Sequence, residues 1–387
     1  MKNTKIQAIS LFSGAGGLDL GCKLNNIEIK IAVDNDNDSI ETLKLNSEFS
    51  KTKIIKQDIK KSKPKDLEKY LNGNKTIIIG GPPCQPFSKN GYWITHNNRK
   101  ITKDPRNCIS DFFSYVKNLN PDGFLIENVE SILHPVNKKA VDNIIHLSEK
   151  LKYKFKMVRS NALDYGVPQK RQRVFIISVR NDVAAKVMHP MTGEIDVFPL
   201  PEAWAKGNDK SNINDPRPVI EDAIRDIQDD PKNIAEAKEL CDAMKKSAKY
   251  KWMKRMPKDS NRVVSVGDDV VGPWYDKWIE HRRIRDKVLP ERKNSFFQSR
   301  RVPYNQASHT LSEQGLMTSL AVHLHPEEDR VYTTYEAARI MTLPDDYIQT
   351  GDLNDRLARI GLMVAPMCMK HLADSIYENV LEPYARS

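Results

Sequence analysis

An α/β fold built on a doubly wound, mostly parallel sheet is what the first 180 residues predict, on two observations. The first is alternation. Seven short apolar runs, Ile6–Ser10, Ile29–Val33, Lys53–Lys56, Thr76–Ile79, Gly123–Ile126, Lys154–Arg159 and Val174–Val179, are separated by longer amphipathic stretches. Among these, Asp38–Asn46, Cys108–Leu119 and Asn137–Leu151 have helical spacing. Short β-branched runs read as buried strands, and strands alternating with helices assemble parallel sheets. The second observation is what ends the runs: a glycine-rich turn, Asp34, Asp58, a Gly-Gly pair ahead of Cys84, and Glu127. Open α/β sheets do their chemistry at the carboxyl ends of their strands.

Beyond Arg180 the alternation stops. Residues 181–300 carry many prolines, scattered tryptophans and basic clusters, which predicts a separate, irregular domain with its first boundary near 181–190. A helical pattern resumes at Thr334, and Gly361–Val380 reads as a final helix. There is no internal repeat and no low-complexity tract.

At 387 residues, 39% of them apolar and 29% charged, the chain has the size and composition of a soluble protein with one large and one smaller domain. No run approaches the apolar length of a membrane span, and the first nine residues are too short and broken to read as a secretion signal. The cysteines, Cys22, Cys84, Cys108, Cys241 and Cys368, are odd in number and form no C-x-x-C pair. That pattern argues against a disulfide framework and against a zinc site, and it fits a reducing cytosol.

The formal net charge of +10 points weakly to a polyanionic partner. Its distribution says more. Lys245, Lys246, Lys249, Lys251, Lys254, Arg255, Lys258 and Arg262 surround Tyr250 and Trp252, and Arg282, Arg283, Arg285, Lys287, Arg292 and Lys293 follow. Solvated helix faces would explain the charges alone; the interleaved aromatics favour a phosphate-contacting surface.

Gly80-Gly81-Pro82-Pro83-Cys84-Gln85-Pro86-Phe87-Ser88 places one thiol among three prolines directly after an apolar strand. Proline fixes φ and removes backbone donors, so the thiol sits on a stiff turn. A rigid turn around an inert cysteine and a reactive thiol both remain open on this segment alone. Leu11-Phe12-Ser13-Gly14-Ala15-Gly16-Gly17-Leu18-Asp19 follows the first strand. It departs from the dinucleotide fingerprint because Asp19 holds the third glycine's place, which disfavours a nicotinamide-dependent dehydrogenase. With Asp34 and Asp58 ending the next two strands, the turn suggests a nucleoside-containing cofactor. Partial desolvation at a strand end favours a carboxyl's neutral form, so Glu127 is either a candidate proton donor or a satisfied strand-end acid. Gln169-Lys170-Arg171-Gln172-Arg173 alternates two arginines onto one face, where they can bind phosphate, orient a polar ring or face solvent.

Taken in order, these segments resemble the cytosine-5 DNA methyltransferase family, across residues 6–180 and 300–380. Phe12–Gly17 is similar to its cofactor motif, Gly81–Gln85 to its nucleophile motif, Glu127-Asn128-Val129 to its glutamate motif and Gln169–Arg173 to its paired-arginine motif. Asp104-Pro105-Arg106 with Ile109, Arg301 with Ser308-His309-Thr310-Leu311, and His325-Pro326, Glu336-Ala337-Ala338-Arg339 and Leu343-Pro344 resemble further motifs.

The resemblance implies a Rossmann-like methyltransferase domain at 1–180, a smaller inserted target-recognition domain at 181–356, and a C-terminal helix at 357–387 returning to the first. It implies S-adenosylmethionine as cofactor. Phe12 would lie against the adenine, Asp34 on the ribose hydroxyls and Asp58 at the adenine amino group; Ile59 and Ile109 would form walls, and Gly14, Gly16, Gly17, Asn35 and Pro83 would line the site. Cys84 would attack carbon 6 of a cytosine flipped from duplex DNA, Glu127 would protonate ring nitrogen 3, and Arg173, supported by Arg171, would hold the cytosine carbonyl. Residues 85–103 would form a lid.

Two departures stand out: Asn35 where a bulky residue is usual, and Leu362 where the closing motif has asparagine after its glycine. A cytoplasmic, monomeric modification enzyme that joins the nucleoid on DNA and pairs with a restriction endonuclease is the expectation. The rivals are a transfer-RNA cytosine-5 methyltransferase on the same scaffold and a catalytically silent DNA-binding regulator. Intact Cys84, Glu127, Arg171 and Arg173 count against the second.

Overall fold

The structure, a computed structural model, describes residues 6–25, 27–84, 87, 107–187, 217–246, 250–254, 256–260, 264–265, 298–299, 301–312 and 324–386. Most of the candidate lid at 85–103, the Asp104-Pro105-Arg106 segment, the basic cluster at 282–293 and Lys249, Arg255 and Arg262 of the other cluster lie outside these residues.

All seven predicted strands form one sheet. In chain order they are β1 (Ile6–Leu11), β2 (Ile27–Asp34), β3 (Lys53–Lys56), β4 (Lys75–Gly80), β5 (Gly123–Val129), β6 (Tyr153–Asn161) and, after the two-residue β7 (Gln169–Lys170), β8 (Gln172–Arg180). Their spatial order is β3-β2-β1-β4-β5-β8-β6. Neighbours from β3 to β5 run parallel; β8 is antiparallel to both β5 and β6. Side chains alternate between the faces, so Ile77 and Ile79 enter one apolar cluster while Ile78 enters the other.

Helices cover both faces. On one lie α1 (Gly17–Lys23), α2 (Asn37–Leu45) and others from the later chain; on the other lie α3 (Ile109–Leu119) and α4 (Lys138–Lys150), through Phe112, Val116 and Ile144. These ends differ by one residue from the predicted helices, because Asp36 and Asn137 take the N-cap positions. Beyond β8 the chain is more helical than its composition suggests. α5 (Asn181–Val187) buries Val183 and Ala184 against the first face. α6 (Pro231–Lys245) starts on Pro231 at N1, with Asp230 capping Lys232 and Asn233. α7 (Thr334–Ile340) opens with a Thr333/Glu336 capping box.

The expected helix Gly361–Val380 is broken. α8 (Leu353–Leu362) contains Gly361, residues 363–365 are extended or non-helical, and α9 (Pro366–Ile376) restarts at N1 on proline. A proline lacks the N–H that a continuous helix would need there. Among the described residues no helix is long and apolar enough to cross a membrane.

Candidate active site

The chain leaves β1 towards β2 in one direction and later leaves β4 towards β5 in the other. That reversal opens a crevice outside the carboxyl ends of β1 and β4. Leu11 pairs with Gly80, so the glycine turn and the Pro-Pro-Cys turn start side by side on its two banks.

The first bank is tied to β2. Ser13 N donates to Val33 O (3.1 Å), and Gly14 N donates to Asp34 Oδ2 (2.7 Å). Asp36 N donates to Asp34 Oδ1 (2.9 Å). Burial raises the pKa of Asp34, and the backbone donors of Asp36 and Gly14 oppose it. Phe12 has φ 56°, a left-handed conformation that costs a phenylalanine on the order of 1–3 kcal/mol. A side chain at Gly17 would come within 2.2 Å of Val364 O, so α1 can start against the α8–α9 link only with glycine there. Gly16, at φ 82°, is the N-cap, and Tyr347 donates from its hydroxyl to Ala15 O (2.7 Å).

The residues present fit an adenosyl cofactor. A Cβ on Gly14 would meet nothing within 4 Å, so open space lies over the turn, beside the Asp34 carboxylate. Ile59 and Ile109 are buried in the apolar cluster against which Phe12 packs. Asp58 caps the helical turn Ile59–Lys61, accepting from Lys60 N (3.0 Å), while Asn35 is exposed. Leu362 is 47% exposed at the end of α8.

The second bank carries Cys84. Pro82 is buried, Pro83 and Cys84 are half-buried, and Cys84 O accepts from Phe87 N (2.8 Å). β5 holds this turn: Asn128, 1% exposed, donates from Nδ2 to Pro82 O (3.2 Å). Ser131 Oγ donates to Phe87 O (2.8 Å). A Cβ on Gly81 would lie 3.2 Å from Glu127 Oε2, which brings the glutamate against the base of the thiol's turn.

Arg173 Nε meets Glu127 Oε1 at 2.8 Å, with the two side chains 15% and 13% exposed. Val129 pairs with Arg173 across β5 and β8, so Glu127 and Arg173 sit on a diagonal of one sheet face. Arg173 Nη1 also donates to Gln172 O (2.7 Å).

Arg171 has different partners from Arg173. It is 2% exposed and donates from Nη1 to Leu311 O (2.9 Å) and from Nη2 to Gly361 O (3.0 Å) and Met363 O (2.6 Å). Burial pushes its pKa down to about 9, with Arg173 next to it adding to the effect. Gln169 completes the knot, its Oε1 accepting from Leu311 N (3.1 Å), and Ser308–His309 runs parallel to β7. Arg171 is thus a strut behind the site. It fixes Met363, and the adjacent Val364 closes on Gly17.

The structure therefore gathers Cys84, Glu127 and Arg173 on one bank, and Phe12, Gly14, Asp34, Asp58, Ile59 and Ile109 on the other. Three positioning residues escaped the sequence reading. Asn128 and Val364 stood inside recognised motifs without an assigned task, whereas Tyr347 carried no local signal.

A family model for C-5 cytosine-specific DNA methylases matches residues 6–378. The type II methyltransferase M.NgoPII of Neisseria gonorrhoeae is 34% identical over 58% of each chain. M.DdeI of Desulfomicrobium norvegicum is 29% identical over 96% of this chain and 89% of its own length. Among solved structures, a prophage-encoded E. coli protein assigned as a DNA modification methyltransferase superposes with a TM-score of 0.62 at 21% identity, covering 97% of this chain and 99% of its own. The DNMT2 of Spodoptera frugiperda gives 0.55 at 17% identity, covering 96% of this chain and 100% of its own; both likenesses speak to the fold. With the family model spanning nearly the whole chain, this protein belongs to the C-5 cytosine-specific DNA methylases, enzymes that take their methyl group from S-adenosylmethionine.

Proposed function

We propose that this chain methylates a flipped-out cytosine within a specific duplex DNA sequence through a covalent adduct on Cys84, as the modification partner of a restriction endonuclease. The observation that carries the mechanism is the ion pair of Glu127 and Arg173 at 2.8 Å, set against Gly81 at the base of the Cys84 turn. The type II names of the relatives support the modification role. In this reading a monomer works in the cytoplasm, at the nucleoid when on DNA. The target is read from within residues 181–356, of which α5, Leu311 and Tyr347 also brace the catalytic sheet, and residues 1–180 with 357–387 perform the chemistry.

Bound S-adenosylmethionine supplies the electrophilic methyl group, held by Phe12, Asp34, Asp58, Ile59 and Ile109. Cys84, as thiolate, forms a bond to carbon 6 of the cytosine, and the displaced electron pair reaches ring nitrogen 3 as that atom takes the proton of Glu127. Carbon 5 is then nucleophilic enough to accept the methyl group. Loss of the proton from carbon 5 to solvent restores the ring double bond as the sulfur–carbon bond breaks, Cys84 leaves as thiolate, and nitrogen 3 returns its proton to Glu127. Arg173 orients Glu127 through Nε, and its Nη2 is the nitrogen assigned to the cytosine carbonyl. No thiol reaches carbon 6 of a stacked base, so the cytosine leaves the helix first.

The test is incubation with methyl-labelled S-adenosylmethionine and either duplex DNA or transfer RNA. Label at carbon 5 of cytosines in DNA is expected. Label in RNA alone would establish the transfer-RNA reading instead, and no label in either would leave a silent regulator.

A further inference from the structure

Half of the formal net charge of +10 sits in twenty residues. Between Lys51 and Tyr70 the chain has eight lysines against three acidic residues. All eight, Lys51, Lys53, Lys56, Lys60, Lys61, Lys63, Lys65 and Lys69, are exposed.

Their place in the fold is specific. β3 is the edge strand, and it runs parallel to β2, so Asp58 ends on the same rim as Asp34 and the Cys84 turn. Lys61, Lys63 and Lys65 follow along that rim. Their backbone is fixed from beneath, where Ser62 Oγ and Tyr115 OH of α3 are 2.5 Å apart and Leu67 is buried. Beside them a groove of about 380 Å³ is lined by Lys53, Lys56, Lys69 and Tyr70, with Asp66 as its one carboxylate, and Lys53 and Lys69 lie 5.5 and 5.2 Å from the centre of the Tyr70 ring.

Lysines on an edge strand often serve to block sheet-to-sheet pairing. That explains Lys53 and Lys56 but not Lys61, Lys63 and Lys65, which lie off the strand. Nor are these three neutralised. Lys61 stays 84% exposed in its 3.8 Å contact with Asp58, and Lys63 and Lys65 have no acidic partner among the described residues.

We propose that this lysine rim is a second phosphate-contacting surface, which takes the backbone of duplex DNA flanking the target cytosine. Point charges on flexible stems suit sequence-independent phosphate contact. Strands lie about 4.8 Å apart, which puts β3 about 14 Å from β4 along the rim, well within one helical turn of DNA. The proposal rests on the DNA reading above.

The test uses the full chain and two duplexes centred on a site that the wild-type protein methylates. One ends within half a helical turn of the target and the other extends two turns on each side. The wild type is expected to bind the long duplex about tenfold more tightly than the short one at low salt. The triple variant Lys61→Gln/Lys63→Gln/Lys65→Gln should lose that preference, and its salt slope on the long duplex should fall by about 3, roughly 0.9 per phosphate contact. It should methylate the short duplex at the wild-type rate. A variant that keeps the length preference, a loss equal on both duplexes, or a wild type indifferent to length would overturn the proposal. No methylation of either duplex by the wild type would overturn the DNA reading along with it.

Discussion

Asn128 donates from Nδ2 to the carbonyl oxygen of Pro82, so the strand that carries Glu127 also holds the turn that carries Cys84. Acid and thiol are thereby set by one short, buried link. Replacing it tests whether catalysis depends on that registration. Asn128→Ala removes two hydrogen bonds, the one to Pro82 O and the one accepted from Val129 N, at a cost of about 1–3 kcal/mol in stability. We expect turnover to fall at least tenfold while the KM for cofactor stays unchanged, since the turn on the other bank is untouched; steady-state kinetics with varied cofactor measures both.

The two arginines of the Gln169–Arg173 segment should fail in opposite ways. Arg171→Ala strips the donors from the carbonyls of Leu311, Gly361 and Met363 in a buried place, and should destabilise the protein by on the order of 3 kcal/mol or more. Arg173→Ala removes a partly exposed group and should move the urea midpoint little, while lowering kcat about a hundredfold or more. Equal unfolding behaviour of the two variants would contradict the strut assignment.

A third expectation concerns acid stability. His325 is buried near Glu336 (Nε2 to Oε1, 3.7 Å), with Arg330, Glu328 and Arg301 around it. Burial lowers its pKa from 6.5 to about 4; Glu336 opposes this shift, and Arg330 and Arg301 add to it. Below pH 6.5 the unfolded chain therefore binds a proton at His325 that the folded chain does not, and the contribution of His325 to stability falls as pH drops towards 4. That share should be on the order of 2 kcal/mol by pH 5, while buried Asp19, its pKa raised by burial to about 7, takes up a proton on the folded side and contributes in the opposite direction over the same range. Glu328 and Glu336 have lowered pKa values, so their contributions are lost only at lower pH. Comparing urea unfolding of the wild type and His325→Gln between pH 7 and pH 5 isolates the His325 share: on acidification the variant should fare better than the wild type by about 2 kcal/mol.

Leu362 offers a fourth test. It is 47% exposed beside the link that closes on Gly17, where the resembling family has asparagine. Leu362→Asn should change stability by no more than about 0.5 kcal/mol and should tighten cofactor binding, measured by titration calorimetry.

How much of this was legible depended on range. β1 to β6 and β8 were readable because each is a short run, apolar or alternating and rich in β-branched residues in β1 to β4 and β8, with polar or glycine punctuation, and the residues of the crevice stand at those strand ends. α6 was missed because its buried face carries Asn233 and Glu236 beside Ala237, Leu240 and Met244, and Ile234 is exposed, although Asp230 and Pro231 signal its start. The different work of Arg171 and Arg173 could not be read locally. It is decided by Leu311, Gly361 and Met363, which lie 140 to 192 residues further along the chain. The break before α9 was signalled by Pro366, but apolar spacing across it read as continuous.

The central claim is that Cys84 bonds to carbon 6 of the target cytosine. A duplex with 5-fluorocytosine at the methylated position tests it, because fluorine at carbon 5 blocks the elimination that frees the enzyme. With cofactor present, mass spectrometry should find the methylated strand joined to the peptide containing Cys84, and Cys84→Ser should give no such species. A wild-type protein that forms no adduct, or one joined through another residue, would contradict the account.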